Sequence, residues 1–553
     1  MAVLNLSPLL VLALLARTFA KPTNDAPKND IVDLGYAQHI PTYHNTTISG
    51  HKVKIYKNIR FANAPTGNLR FRAPDTKLPK VHGVQDGKVP WASTACIASA
   101  PGYIPYPEIN GTTWGREDCL FLDVYVPEGV NPGDDVPVLH NFFGSAYAFG
   151  SKDIMFSPMG LFDRMFRDHA DKFIFVSNNY RCGSSFSCAL QVRPQNTDRN
   201  CRQRLGMPGW TYAEGEDMDG NVGMLDCLAA AEWTSKYIKD FGGDGKRITT
   251  IGQSAGAGMI YYLMVAYAGR RKLPFQQSKA YLSSPAAPPK RNVTERQKEL
   301  FNLVLKTANC TTLRCLRSVP EETMIGINDQ LINQMPSQSG GGQIGPLHGF
   351  GPAPDGKIIP DLPLAMLRRG EFYKGLNALI LGSMALEGMG TSHDTGLPGY
   401  FPIMVRQQLP YASSETIKML QDEYHDASKV SKMAWDWTTD IVFACNANNL
   451  ANSLPSLARR YIMSTPPAVH GEDLDYFFNN EDIAPVNHTE LVNGFQRRLL
   501  NFVNGQKMDW PVWGSVKEMY NITDEFEGTT LPRKLMKRCD LLNQLILDPA
   551  NGA

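Results

Sequence analysis

RITTIGQSAGAGMIYYLMVAYAG, residues 247–269, decides how this chain is read. Residues 247–254 are rich in β-branched side chains and predict a strand. Residues 255–269 predict a helix. At their junction stands Gly252-Gln253-Ser254-Ala255-Gly256. As a bare pentapeptide GxSxG is weak: with 47 glycines in 553 residues, about one chain in four would contain it by chance. Its context is what gives it meaning. A serine on a sharp strand-to-helix turn is the arrangement a nucleophile elbow requires. Such a turn brings backbone close, so only small side chains fit at 252 and 256. The helix that follows points its N-terminus at Ser254, and that positive dipole end favours a developing oxyanion.

Outward from the elbow the same alternation continues. Residues 120–127, 136–143, 173–180 and 377–384 read as short apolar strands, and 220–243 as a helix closed by Gly242 and Gly243. Strand, helix, strand in this order predicts an α/β fold with a large, mostly parallel central sheet flanked by helices. The segment 96–119 has a cysteine at each end and no helical period, so it reads as a surface loop able to act as a lid.

A serine hydroxyl needs a base, and the base needs an acid to orient it. In this fold the chain order is Ser, then Asp or Glu, then His. Glu387 follows the strand 377–384 in LGSMALEGMG, and His470 lies in PPAVHGEDL. Other histidines compete. His348 precedes Glu387, His393 follows it too closely, and His488 sits inside a glycosylation sequon. His425 is a further rival, and order alone leaves it open.

The N-terminal stretch 1–20, with an apolar run from Leu9 to Leu15 and small residues at Thr18 and Ala20, reads as a secretory signal peptide. No later stretch has the length and apolarity of a membrane span. Six sequons after the signal agree with secretion: Asn45, Asn110, Asn292, Asn309, Asn487 and Asn521. So does the even count of ten cysteines. Their spacing is not that of a zinc site, so no metal is expected. A formal net charge of +1 argues against a nucleic-acid or anionic-membrane partner, since such binders usually carry a basic excess.

These motifs together resemble the type-B carboxylesterase/lipase family, which includes cholinesterases and secreted fungal lipases. The similarity runs through IRFANAPTGNLRFRAP (59–74), GREDCLFLDVYVPEG (115–129), the helix and elbow at 220–257, LEGMG around Glu387 and AVHGEDLDYFF around His470. The resemblance implies an α/β-hydrolase fold over residues 21–553 as a single domain. It implies the triad Ser254, Glu387 and His470, and hydrolysis of esters through an acyl-enzyme without a cofactor. It also implies the disulfides Cys96–Cys119, Cys310–Cys315 and Cys445–Cys539. Cys227, in a helix expected to be buried, then reads as a free thiol. Cys182, Cys188 and Cys201 leave room for one more bridge.

Three departures from the family pattern bear on function. Phe143-Gly144-Ser145-Ala146-Tyr147 stands where the oxyanion loop normally reads HGGGF or HGGAF. Backbone N–H groups of Ser145, Ala146 and Ala255 can still donate there, although Ser tolerates a positive φ poorly. Gln253 stands where the family usually has Glu, which removes a negative charge beside the nucleophile. Trp114 lies too near Cys119 to match the cation-binding tryptophan of cholinesterases. The expected substrate is therefore a neutral, apolar small-molecule or lipid ester. An acyltransferase or tailoring esterase of natural-product metabolism would share the triad, and a catalytically inactive binding protein would share the fold alone. Oligomeric state is not written in the sequence.

Overall fold

A computed structural model describes residues 30–99, 112–147, 149–154, 157–181, 208–274, 279–289, 293–331, 351–389, 391–392, 400–425, 430–480 and 488–553. The expected signal peptide, the middle of the 96–119 loop, and Cys182, Cys188 and Cys201 lie outside these residues.

The architecture centres on a sheet of 11 strands. In chain order they are β1 (Tyr43–Thr46), β2 (Lys52–Arg60), β3 (Phe121–Pro127), β4 (Val136–Phe142), β5 (Ile174–Asn178), β6 (Gly243–Gln253), β7 (Lys279–Ser283), β8 (Ala378–Met384), β9 (Ala458–Met463), β10 (Glu518–Ile522) and β11 (Phe526–Thr530). In space they run β11-β10-β9-β8-β7-β6-β4-β5-β3-β2-β1. The run from β10 to β5 is parallel throughout. Antiparallel strands close both edges, with β11 on one side and β3, β2 and β1 on the other.

The interior strands are apolar on both faces, as a sheet covered on both sides requires. On β4, Val138 and Phe142 enter one core while Leu139 enters the other. Ile248 and Ile251 of β6 split the same way. The first core is covered by α2 (Val222–Tyr237) and α3 (Ala255–Val265); the second by α1 (Met159–Arg167) and α5 (Thr489–Asn504). Two further helices, α4 (Cys445–Ser453) and α6 (Arg533–Leu547), are joined by the disulfide Cys445–Cys539.

The helix expected over 255–269 stops at Val265. Tyr267 and Ala268 turn to φ 52° and 56°, and the Tyr267 N–H leaves the helical ladder for the carbonyl of Ile358 at 2.7 Å. A tertiary hydrogen bond thus ends a helix whose sequence would carry it further. Disulfides Cys96–Cys119 and Cys310–Cys315 are also formed. Cys227 is buried inside α2 and lies outside all three bridges. Among the described residues no helix is long and apolar enough to cross a membrane.

Candidate active site

Ser254 stands between the end of β6 and the start of α3 with φ 57° and ψ −124°. A non-glycine residue in that region costs about 1–3 kcal/mol and persists only where its surroundings over-determine it. Three hydrogen bonds do so. Its N–H donates to the Ser283 carbonyl at 2.9 Å, and its carbonyl accepts from Gly258 at 2.9 Å and Ala286 at 3.2 Å. The small flanking residues are sterically required. A Cβ on Gly252 would lie 2.5 Å from the Gly256 carbonyl carbon, and one on Gly256 would lie 2.0 Å from the Phe142 oxygen.

Glu387 follows β8 and is fully buried. Its carboxylate meets three partners. Oε1 accepts from the Ser284 hydroxyl at 2.6 Å and from the Met384 N–H at 2.7 Å. Oε2 lies 2.5 Å from Nδ1 of His470. The loops bearing the acid and the imidazole are zipped together directly: Leu386 pairs with Val469 and donates to the Ala468 carbonyl at 2.9 Å. The Phe443 ring packs 4.5 Å from the His470 ring. It comes from a π-helical turn, Thr439–Ala444, whose Thr439 hydroxyl also accepts from the Gly388 N–H at 2.9 Å.

The other nitrogen of His470, Nε2, lies 3.1 Å from the side-chain amide nitrogen of Gln253. The ring therefore bridges the acid on one side and the elbow on the other. Of the rival histidines, His425 is exposed at the end of the helix Ser414–Tyr424, and His488 is half-exposed near Asp524. His348 and His393 lie outside the described residues.

In the segment 143–147 three consecutive residues without glycine's freedom take positive φ: Ser145 at 122°, Ala146 at 54° and Tyr147 at 62°. Anchors on both sides hold them. The Tyr147 hydroxyl donates to the Ala286 carbonyl at 2.5 Å, and the Trp210 indole N–H donates to the Tyr147 carbonyl at 3.0 Å. Tyr180 stacks on Phe143 and donates to its carbonyl at 2.9 Å, and the Ser145 hydroxyl donates to the Phe149 carbonyl. Gly144 passes over the elbow so closely that a Cβ there would lie 2.5 Å from the Gln253 carbonyl oxygen. Ala146 packs against a small buried cluster formed by Ala95, Ala98, Trp114 and Phe149.

Several residues of this site carry no sequence signal of their own. Ser284, Thr439 and Phe443 belong to no motif. Asp473 was visible in HGEDL but without a role. It is fully buried, accepts from the hydroxyls of Ser283 and Tyr461, and burial pushes its carboxyl up to about 6.

A strand–elbow–helix at the centre of a parallel sheet, with an acid after one later strand and a histidine after the next, defines an α/β hydrolase. Solved structures agree on the fold. The chain superposes on Aspergillus niger EstA with a TM-score of 0.76 at 21% identity, covering 95% of this chain and 99% of that one. A PNB esterase gives 0.70 at 21% identity over 93% and 99%.

The model of the carboxylesterase family matches residues 40–187 and 200–522, so the chain belongs to the carboxylesterase family and is a carboxylic ester hydrolase. It is 27% identical over 533 residues to carboxylesterase patB of Penicillium expansum, covering 86% of this chain and 87% of that protein. It is 30% identical over 364 residues to Lipase 1 of Geotrichum candidum, covering 60% of this chain and 59% of that lipase.

Proposed function

We propose that the chain is a secreted serine esterase that cleaves neutral, apolar esters with Ser254 as nucleophile, His470 as general base and acid, and Glu387 as the orienting acid. The observation that carries this reading is the 2.5 Å contact between Glu387 and Nδ1 of His470, on a ring whose other nitrogen faces the elbow. Glu387, held by Ser284 and Met384, keeps the ring proton on Nδ1 and leaves the Nε2 lone pair as base. That lone pair takes the proton of Ser254, whose oxygen attacks the ester carbonyl. The oxyanion is met by the N–H groups of Ser145, Ala146 and Ala255, which need no reorganisation because the backbone already holds them. Protonated His470 then gives its proton to the leaving alcohol. Water, deprotonated by the same ring, releases the acid.

The neutral amide of Gln253, at the position where the family usually carries Glu, supports this substrate class, because it leaves no anionic anchor for a cationic alcohol at that position beside the nucleophile. Secretion is supported by the three disulfides and by relatives such as a secreted lipase of Arthroderma benhamiae. Of the expected glycosylation sites, Asn309 is exposed and Asn45 half-exposed on the edge strand β1. Asn521 is held within β10 by the Ser464 hydroxyl at 2.7 Å. Asn110, Asn292 and Asn487 lie outside the described residues.

A fluorophosphonate probe should label Ser254. Ser254→Ala should lower turnover of p-nitrophenyl esters by about 10⁴- to 10⁶-fold. Wild-type-like turnover by that variant would reject the assignment. In the same assay a choline ester should be turned over far more slowly than its uncharged isostere.

A further inference from the structure

Gln253 is buried, 5% exposed, and its side chain lies between the base and the oxyanion loop. Its amide nitrogen is 3.1 Å from Nε2 of His470, and its amide oxygen faces Gly144, where a Cβ would lie 3.0 Å from it. The direction of the first contact follows from the other side of the ring. Nδ1 is 2.5 Å from Glu387, an acceptor, so Nδ1 carries the proton and Nε2 offers its lone pair. Gln253 is then the donor. Among the described residues it is the side chain whose hydrogen bond reaches Nε2, the same lone pair that must accept the proton of Ser254.

Building on the triad proposed above, we infer that Gln253 is a positioning residue that caps the resting base and competes with Ser254 for it. A donor to the lone pair stabilises neutral imidazole and cannot donate to imidazolium, whose Nε2 carries its own proton. Turnover therefore requires the Gln253 amide to leave Nε2 as Ser254 approaches, or to turn its oxygen to the new N–H. No bond to Gln253 changes: the proton passes from Ser254 Oγ to His470 Nε2, and then to the leaving group. A glutamate at 253, the residue common in this family, would act in the opposite sense by attracting the imidazolium.

The charges facing the ring are few. Glu387 holds Nδ1, with the Arg460 guanidinium near that carboxylate. Asp473 and Glu472 lie in the turn that follows His470, and Asp473 is held by Ser283 and Tyr461. Phe443 is uncharged, as are Gly144, Ser145 and Ala146.

The test compares kcat/KM against pH for the wild type, Gln253→Met and Gln253→Glu with a neutral p-nitrophenyl ester. Activity needs the neutral ring, so losing the donor should move the acid limb of the profile to higher pH in Gln253→Met, by about half a unit. In Gln253→Glu the shift should be about one unit or more. KM should stay within about threefold, because the residue contacts the base rather than the ester. Acid limbs of both variants that coincide with the wild type would overturn the inference. If Gln253→Glu does not fold, Gln253→Met decides alone. Ser254→Ala separates the two readings. An active Ser254→Ala overturns the triad, whereas an inactive one with unmoved acid limbs overturns only the role of Gln253.

Discussion

Ser284 donates its hydroxyl to Oε1 of Glu387 at 2.6 Å, on the carboxylate oxygen opposite the one that faces His470. A buried carboxylate left with an empty lone pair is costly, so this hydroxyl helps fix both the charge and the orientation of the acid. Ser284→Ala should lower kcat/KM by about 10- to 150-fold, corresponding to the ~1.5–3 kcal/mol of one hydrogen bond to a charged group. KM should change little. Steady-state kinetics on one ester decides it, and an unchanged kcat would remove Ser284 from the catalytic support.

The three left-handed residues of the oxyanion loop make a second prediction. Ala146 sits at φ 54° with no side-chain hydrogen bond to lose. Ala146→Gly should relieve ~1–2 kcal/mol of backbone strain, partly offset by the larger entropy of unfolded glycine. The methyl's packing against the Trp114–Phe149 cluster is also lost, at about 0.5–0.8 kcal/mol, so the net expectation in urea unfolding is a change within about 0.5 kcal/mol, with activity retained, since the N–H remains. Gly144→Ala should instead lower activity. Its Cβ would press on the Gln253 carbonyl at 2.5 Å and on Ser254 Cβ at 3.2 Å. A displacement of the nucleophile by about 1 Å costs about 100-fold in rate.

The elbow was legible in the sequence because its chemistry is local. Strand, tight turn and helix are contiguous, and Gly252 and Gly256 announce the close approach. The placement of Ser254, Glu387 and His470, each after a strand of one parallel sheet, was legible from chain order. The rest depended on contacts between distant segments. Ser284 reaches Glu387 only because β7 and β8 are neighbours, and Phe443 reaches His470 only through a π-helical turn. The Gln253 amide meets an imidazole 217 residues away. Propensity over 255–269 predicted four residues of helix too many, because the Ile358 carbonyl takes the Tyr267 N–H.

A buried acid outside the proposed triad sets part of the pH dependence of stability. Burial pushes the Asp440 carboxyl up to about 7, against the nearby Arg538 guanidinium and the Tyr424 hydroxyl that donates to it at 2.9 Å. The folded chain therefore holds a proton there that the unfolded chain has released above about pH 4. Folded binds more protons than unfolded between about 4 and 7, so stability from this group falls as pH rises through that window. Asp440→Asn removes the titration while keeping an acceptor for Tyr424. Urea unfolding at pH 5.5 and 7.5 should show the wild type losing stability relative to the variant at the higher pH. Parallel behaviour of the two proteins would show that Asp440 does not titrate there.

The disulfides should differ sharply in what they contribute. Cys445–Cys539 closes a span of 94 residues and ties α4 to the C-terminal helix α6. Cys310–Cys315 closes a span of 5. On the chain-entropy account, the longer loop restricts the unfolded chain by about 5 kcal/mol and the shorter by about 2 kcal/mol. Replacing both partners with serine in turn should therefore lower the unfolding midpoint much more for 445/539 than for 310/315. The helices also argue for this ranking. Asn449 and Asn543 exchange side-chain hydrogen bonds at 2.8 and 2.9 Å beside the longer bridge. Its loss would free two buried amides as well as the chain. Equal losses in the two double variants would show that loop closure in the unfolded chain does not set the contribution of the 445/539 bridge.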